Sequence, residues 1–152
     1  MRRKDREIST TEAYEILKKG EFGILSTADK NGMPYGLPIS YAVYNDNIIC
    51  HGALEGLKID NIHAREDVSF SVVGQTQVLE EKFATIYESV IVSGKATLVE
   101  NEEEKAKLLY SLVEKYSSNY LSEGKEYIKK LIHVTSCIKI SIIEITGKAR
   151  YI

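Results

Sequence analysis

The chain has 152 residues and a formal net charge of −2, which favours one domain over residues 1–152 and gives no electrostatic reason to expect nucleic acid or an acidic membrane as a partner. No apolar run approaches the ~18 residues that suggest a membrane span, and the basic opening lacks the apolar segment of a signal peptide. The two cysteines, Cys50 and Cys137, lie in apolar segments. We therefore expect buried free thiols in a reducing cytoplasm and no metal site.

The first quarter of the chain predicts a helix and a hairpin. Ser9-Thr10-Thr11-Glu12 has the pattern of a capping box, and the short helix that follows should end at Gly20. Strands are expected at 22–28 and 34–44. Between them lies Asn31-Gly32, which is the strongest short signal for a hairpin turn.

The second quarter continues with short elements. A tight turn at 45–47 leads into an apolar strand at 48–51, and a helix-like segment covers 57–65. Residues 68–73 alternate between apolar and polar side chains, which predicts a half-buried strand. The polar stretch 74–85 is expected to be a loop.

The second half of the chain contains the longest elements. A strand at 87–99 is interrupted at Gly94, where a bulge or a close backbone approach is expected. Asn101 is a suitable N-cap for an acidic first turn, and the helix continues to about residue 116. The chain closes with a helical piece and an alternating strand, at residues 126–133 and 137–145. Because helices and strands do not alternate regularly, we predict a mainly β (α+β) fold, a closed or split antiparallel β-barrel with peripheral helices.

One segment has the pattern of a phosphate-binding turn. An apolar strand ends at His51, small residues and Gly56 follow, and Lys58 then lies in the first turn of a helix. A cation there opposes the helix dipole at a cost of roughly 0.3–1 kcal/mol. A bound anion would reverse that sign, because free backbone N–H groups and the lysine would converge on it.

Five segments of the chain form an ordered set of motifs, at 1–8, 32–41, 50–58, 87–96 and 140–149. In this order they resemble the FMN-binding split-barrel proteins, the superfamily of pyridoxamine 5′-phosphate oxidase. Within that superfamily the chain most resembles the 5-nitroimidazole-resistance (Nim) branch. The resemblance covers nearly the whole chain.

This resemblance implies a homodimer that holds FMN in grooves between its subunits. The strand over 37–41 would lie along the isoalloxazine ring, the turn from His51 to Lys58 would bind the phosphate, and Ser89 would contribute from the other subunit. The implied cofactor contacts are Leu37, Pro38, Ile39, Ser40, Tyr41, His51, Gly52, Ala53, Lys58 and Ser89.

The chain also differs from pyridoxamine 5′-phosphate oxidase at positions that bear on the substrate. Leu57 stands where the oxidase has an arginine, and Glu88-Ser89 stands where it has an arginine–glutamine pair. Because a phosphorylated substrate needs cations of its own, oxidation of pyridoxamine phosphate is disfavoured. The resemblance instead implies an FMN-dependent oxidoreductase that reduces a small acceptor such as a nitroaromatic, with NAD(P)H or another compound as reductant. His51 is the expected catalytic residue, polarising the acceptor or delivering a proton.

The sequence leaves three other functions open. One is a non-catalytic module that binds flavin or haem, although the chain has only three histidines and only His51 is well placed as an axial ligand. Another is an enzyme like pyridoxamine phosphate oxidase. A third is a dimeric structural domain with an empty groove, which leaves Lys58 in the first turn of a helix without an explanation.

Overall fold

The computed structural model of the protein describes residues 2–151, which form a β-sheet with helices around it. The strands are β1 (Glu7–Ile8), β2 (Gly23–Ala28), β3 (Pro34–Ile39), β4 (Tyr41–Tyr44), β5 (Asn47–Ala53), β6 (Asp67–Leu79), β7 (Ala84–Leu98) and β8 (Thr135–Arg150). The helices are α1 (Thr10–Lys19), α2 (Leu57–Ala64), α3 (Glu102–Tyr116) and α4 (Leu121–Leu131). Within residues 2–151, no helix is long and apolar enough to cross a membrane.

The sheet is antiparallel throughout and curls back on itself. Its strand order is β3-β2-β6-β7-β8-β5-β4, and β1 pairs with β8. The two end strands, β3 and β4, are consecutive in the chain and are joined only by Ser40. Because a single residue spans only a few ångströms, the two edges of the sheet meet at Ser40 without pairing along their length. The fold is thus a split antiparallel β-barrel with peripheral helices, as predicted.

Two apolar cores stabilise the two faces of the sheet. The first fills the barrel, where the buried face of α1 packs beside Tyr41 and Phe70, whose rings meet edge to face at 4.8 Å. The second lies outside the barrel, where α3 packs on β4, β5 and β8. Cys50 belongs to the first core and Cys137 to the second. Both are free thiols, as expected, and burial raises the pKa of Cys50 to about 12 and that of Cys137 to about 11.

Several local predictions are confirmed. Ser9 and Glu12 cap α1 reciprocally, and Asn101 accepts a hydrogen bond from the backbone N–H of Glu104 at the start of α3. At Gly94 the β7–β8 register shifts, and a Cβ on this glycine would lie 2.5 Å from the carbonyl oxygen of Ser141. The predicted close backbone approach is therefore present at that position.

Two strand predictions are wrong. Residues 34–44 do not form one strand, because the chain leaves one edge of the sheet and joins the other at Ser40. Residues 74–85 are not a loop, because β6 and β7 extend through most of them as a hairpin after a register shift between Val73 and Thr76. The Glu88 carboxylate accepts the backbone N–H of Gln75 at 3.2 Å in that irregularity. Most side chains there are exposed, so the segment lacks the apolar alternation by which sequence patterns reveal strands.

Candidate functional site

The split in the barrel leaves a backbone edge open. Strand β3 pairs with β2 on one side, and its other side has no strand partner within residues 2–151. An edge strand of this kind directs unpaired backbone N–H and C=O groups outward. Leu37 and Ile39 pack against the barrel core, while Pro38 and Ser40 are exposed. The segment from Leu37 to Ser40 is therefore anchored on its inner side and open on its outer side.

Tyr41 is held by hydrogen bonds within the chain, and its expected contact with the cofactor stays a prediction. Its side chain is completely buried, and its hydroxyl donates to the carbonyl of Leu17. Its backbone N–H donates to the Tyr116 hydroxyl at 2.9 Å, and the same hydroxyl donates to the Tyr41 carbonyl at 2.9 Å. The polar groups of Tyr41 thus have partners inside the chain, and the open edge ends at Ser40. Residue Tyr116, which sequence reasoning missed, clamps this end of the edge.

A positively charged cradle lies at the end of β5. Gly56, with φ at +121°, turns the chain into α2, and the Lys58 side chain folds back over Gly52. A Cβ built on Gly52 would lie 2.8 Å from Lys58 Nζ and 3.7 Å from Ser136 Oγ. Ser136 is the register partner of Gly52 on β8, and its hydroxyl is buried with no hydrogen-bond partner. We call Gly52, Lys58 and Ser136 the Lys58 cradle.

The electrostatics of the Lys58 cradle favour an anion. Within residues 2–151, no carboxylate lies within 4 Å of the Lys58 ammonium, whereas other lysines such as Lys95 and Lys139 have close acidic partners. The N-cap of α2 is Gly56, which provides no side-chain cap for the first backbone N–H groups. An ammonium without an acidic partner and an unpartnered hydroxyl therefore lie beside Gly52, and Lys58 belongs to a helix start that has no side-chain cap.

His51 lies on the other face of the same strand. Its register partner is Cys137, which belongs to the outer core, whereas Gly52 pairs with Ser136 on the barrel side. Side chains alternate between faces along a strand, so His51 and the Lys58 cradle are separated by β5. The pKa of His51 lies below its ordinary value of 6.5, mainly because the imidazole is buried and also because the Lys58 charge is nearby. Through this second effect the two groups still interact across the strand. The imidazole is therefore mainly neutral at pH 7.

A cavity of about 470 Å³ begins at His51 and extends between the two long helices. Ser40 and Thr135 line it on the sheet side, and residues of α3 and α4 form the rest of its wall. We call it the α3–α4 cavity. The sequence predicted a helix here from its N-cap and acidic first turn, but it does not indicate that this helix meets His51.

The remaining two predicted contacts lie at different ends of the sheet. Ala53 is the last residue of β5 and is exposed beside the Lys58 cradle. Ser89 pairs with Lys148 on β8, eleven positions along the strand from the Cys137 that pairs with His51. At about 3.3 Å per residue, that separation is on the order of 35 Å. Within one chain Ser89 does not join the site, and its contribution from a second copy stays a prediction.

The comparison with protein families decides the classification of the chain. A family model described as pyridoxamine 5′-phosphate oxidase matches residues 9–149. The chain belongs to the pyridoxamine 5′-phosphate oxidase family. This membership confirms the expected split-barrel superfamily. No curated protein matches the chain at a significant level.

Several solved structures share the fold of this chain at low sequence identity. A candidate 5-nitroimidazole antibiotic resistance protein from Bacteroides thetaiotaomicron is 21% identical, with a TM-score of 0.80, over 93% of this chain and 85% of that one. An FAD-binding protein from Mesorhizobium loti is 22% identical, with a TM-score of 0.70, over 96% and 98%. The haem storage protein HutZ from Vibrio cholerae is 12% identical, with a TM-score of 0.69, over 91% and 94%.

A flavin is the cofactor that the split-barrel superfamily implies, and the residues present fit its phosphate end. The Lys58 ammonium has no acidic partner among the described residues, and the absence of a Cβ at Gly52 is what leaves room for it. The orphaned Ser136 hydroxyl is a further donor in the same place. Together they form the kind of donor set that binds a phosphate.

Proposed function

We propose that this chain binds FMN and catalyses the two-electron reduction of a small acceptor. The observation that carries the proposal is the Lys58 ammonium, which is held over Gly52 with no carboxylate within 4 Å among residues 2–151. A cation kept uncompensated at a helix start is destabilising unless an anion binds there. The FMN phosphate supplies that anion.

The residues around the split have separate roles in this proposal. Lys58 neutralises the phosphate, and the open backbone edge from Leu37 to Ser40 positions the ring through hydrogen bonds. Gly52 and Ala53 permit the close approach of the ribityl chain. When bound, the flavin supplies hydride transfer to the acceptor. His51, mainly neutral at pH 7, would hydrogen-bond to the acceptor, and we assign proton delivery to it through the minor protonated form, which takes its proton from solvent.

FMN is favoured over FAD by the small size of the charged site. The Lys58 cradle offers one ammonium and one hydroxyl, which suits a single terminal phosphate. A dinucleotide would place an adenosine diphosphate extension beyond the cradle. Titration of the purified protein with FMN and with FAD separates the two, and we expect tighter binding of FMN.

A second copy of the chain completes the proposed site. Ser89 lies far from His51 within one protomer, so its predicted contact with the cofactor requires a homodimer. Exposed Ile91 and Ile143 on neighbouring strands offer apolar surface for such an interface. The proposed reductant is NAD(P)H or a similar donor, and the buried free thiols suit the reducing cytoplasm.

The direct test of this function is anaerobic stopped-flow spectroscopy of the FMN-loaded protein. The flavin is reduced by NADH or NADPH, and the reduced protein is then mixed with a nitroaromatic acceptor. We expect the absorbance of oxidised flavin to return in a reaction that saturates with acceptor concentration. If the protein binds FMN stably but no acceptor reoxidises the reduced flavin, the chain is a non-catalytic flavin-binding module and not an enzyme.

One observation favours a haem-binding module as the alternative. His51 presents a neutral imidazole to the α3–α4 cavity, which is the arrangement of an axial ligand facing an apolar pocket. Addition of haemin tests it, because ligation by His51 would give a sharp Soret band that the His51→Ala variant lacks. An enzyme like pyridoxamine phosphate oxidase is less well supported, since no cationic residue lines that cavity.

A further inference from the structure

The α3–α4 cavity differs in character from four other cavities of the chain. Each of those four has charged side chains in its wall, among them Lys115, Arg6, Arg150 and Glu88. The twelve residues that line the α3–α4 cavity include no lysine, arginine, aspartate or glutamate. Six aliphatic side chains form most of its wall, which are Leu109, Leu112, Val113, Ile128, Leu131 and Ile132.

Several polar groups of this cavity are already engaged by the protein. The Thr135 hydroxyl donates to the Leu131 carbonyl at 2.9 Å. The Tyr116 hydroxyl bonds to the backbone of Tyr41 and of Glu21. On the sheet side of the cavity, His51 and Ser40 remain to orient a ligand. An apolar wall with a few polar groups at one end is the usual design of a site for a small organic molecule.

We infer that the α3–α4 cavity is the acceptor pocket and that it selects uncharged, planar apolar molecules over anionic ones of the same shape. The inference rests on the proposed function, since it places the acceptor of that reaction at His51. Burial of a carboxylate or a phosphate in this cavity would leave the charge without a partner, which costs far more than burial of a neutral ring. The cavity volume of about 470 Å³ is within the range of small-molecule sites.

His51 does not supply the missing positive charge at neutral pH. Burial and then the Lys58 charge lower its pKa, so the imidazole is mainly uncharged where a protonated one would attract an anion. Substrate charge is thus discriminated by the wall of the cavity. The uncharged wall of the cavity argues against a phosphorylated substrate more directly than the missing arginines in the sequence do.

The test compares two probes of the same shape, nitrobenzene and 4-nitrobenzoate, by calorimetric titration of the FMN-loaded protein. Tyr127 lines the cavity and is 65% exposed, so Tyr127→Arg adds a cation to the wall with little disturbance of the core. Tyr120 is 63% exposed on the same helix hairpin but does not line the cavity, so Tyr120→Arg is the matched control. Ser117 also lines the cavity, at the end of α3, so Ser117→Arg is a second charged variant in case the first fails to fold.

The wild-type protein should bind nitrobenzene about tenfold or more tightly than 4-nitrobenzoate. Tyr127→Arg and Ser117→Arg should each shift this ratio toward 4-nitrobenzoate, while Tyr120→Arg should leave it unchanged. Equal binding of the two probes by the wild type, no binding of either, or an equal shift in all three variants would overturn the inference. Failure of the proposed function looks different, because FMN itself would not bind or would not be reduced, whereas the probe ratios are measured without turnover.

Discussion

The ammonium of Lys58 occupies the space that a side chain on residue 52 would need. A Cβ built on Gly52 would lie 2.8 Å from Lys58 Nζ and 2.7 Å from its Cε, closer than real Cβ contacts allow. The glycine and the lysine are therefore sterically complementary, because the first is small where the second folds back. The pair gives the turn at the end of β5 its positive charge.

Gly52→Ala should separate this pair while leaving the fold intact. The added methyl group meets the flexible end of Lys58, which moves away at little cost in stability. We expect FMN affinity to fall by about tenfold or more, since a charge-assisted hydrogen bond contributes about 1.5–3 kcal/mol. The readouts are the FMN dissociation constant and the thermal midpoint of each variant.

Gly36→Ala is the control for that substitution, because its Cβ would make only ordinary contacts, at 3.6 Å from Ile24 and 3.7 Å from Ser26. Its FMN affinity should match that of the wild type. If Gly52→Ala also binds FMN as the wild type does, the position of the Lys58 ammonium does not matter for the cofactor.

Tyr116→Phe should destabilise the corner at which the barrel splits. Its hydroxyl accepts the backbone N–H of Tyr41 and shares its one proton between the carbonyls of Tyr41 and Glu21. We expect the free energy of unfolding to fall by about 1–3 kcal/mol, because the partly buried backbone groups lose their partner. Urea unfolding measures the change, and Tyr120→Phe, whose ring is exposed, should change stability little. Equal losses in the two variants would show that the clamp contributes nothing.

The pKa of His51 should report on Lys58. The folded pKa is lowered by burial first and by the Lys58 charge second, so Lys58→Ala should raise it toward the ordinary value of 6.5. ¹H NMR titration of the three histidine side chains measures this, with Lys30→Ala as a control at an exposed hairpin position. An unchanged His51 pKa in Lys58→Ala would place the two groups too far apart to interact.

The same shift predicts a pH dependence of stability. Between the lowered folded pKa and 6.5, the unfolded chain binds a proton at residue 51 that the folded chain does not. The free energy of unfolding therefore rises with pH through this window and levels off above it, so far as His51 contributes. The His51→Gln variant should lack this component when its unfolding curves are compared with those of the wild type across the window.

Much of the fold was predictable because its signals are local. The capping box of Ser9 and Glu12 and the N-cap at Asn101 specify helix starts from side chains within three residues. The strand break at Ser40 is not local, because it depends on the curled sheet bringing its two edges together. The β6–β7 hairpin was missed because its polar, exposed residues pair through backbone groups that no sequence pattern displays.

The candidate site divides in the same way. Gly56 and Lys58 were found from the spacing of a strand, a glycine and a lysine at a helix start. Ser136 was missed, since its place opposite Gly52 depends on a pairing between strands more than eighty residues apart in the chain. The separation of His51 from Lys58 by the two faces of β5 also appears only when the register with β8 is known.

The central claim is that the Lys58 cradle binds the phosphate of FMN, and titration of the apoprotein with FMN tests it most directly. Flavin fluorescence is followed for the wild type, for Lys58→Ala and for the Lys30→Ala control. We predict saturable quenching by the wild type and Lys30→Ala, and an affinity about tenfold weaker, or weaker still, in Lys58→Ala. Equal FMN affinity in all three proteins, or no binding by any of them, would contradict it.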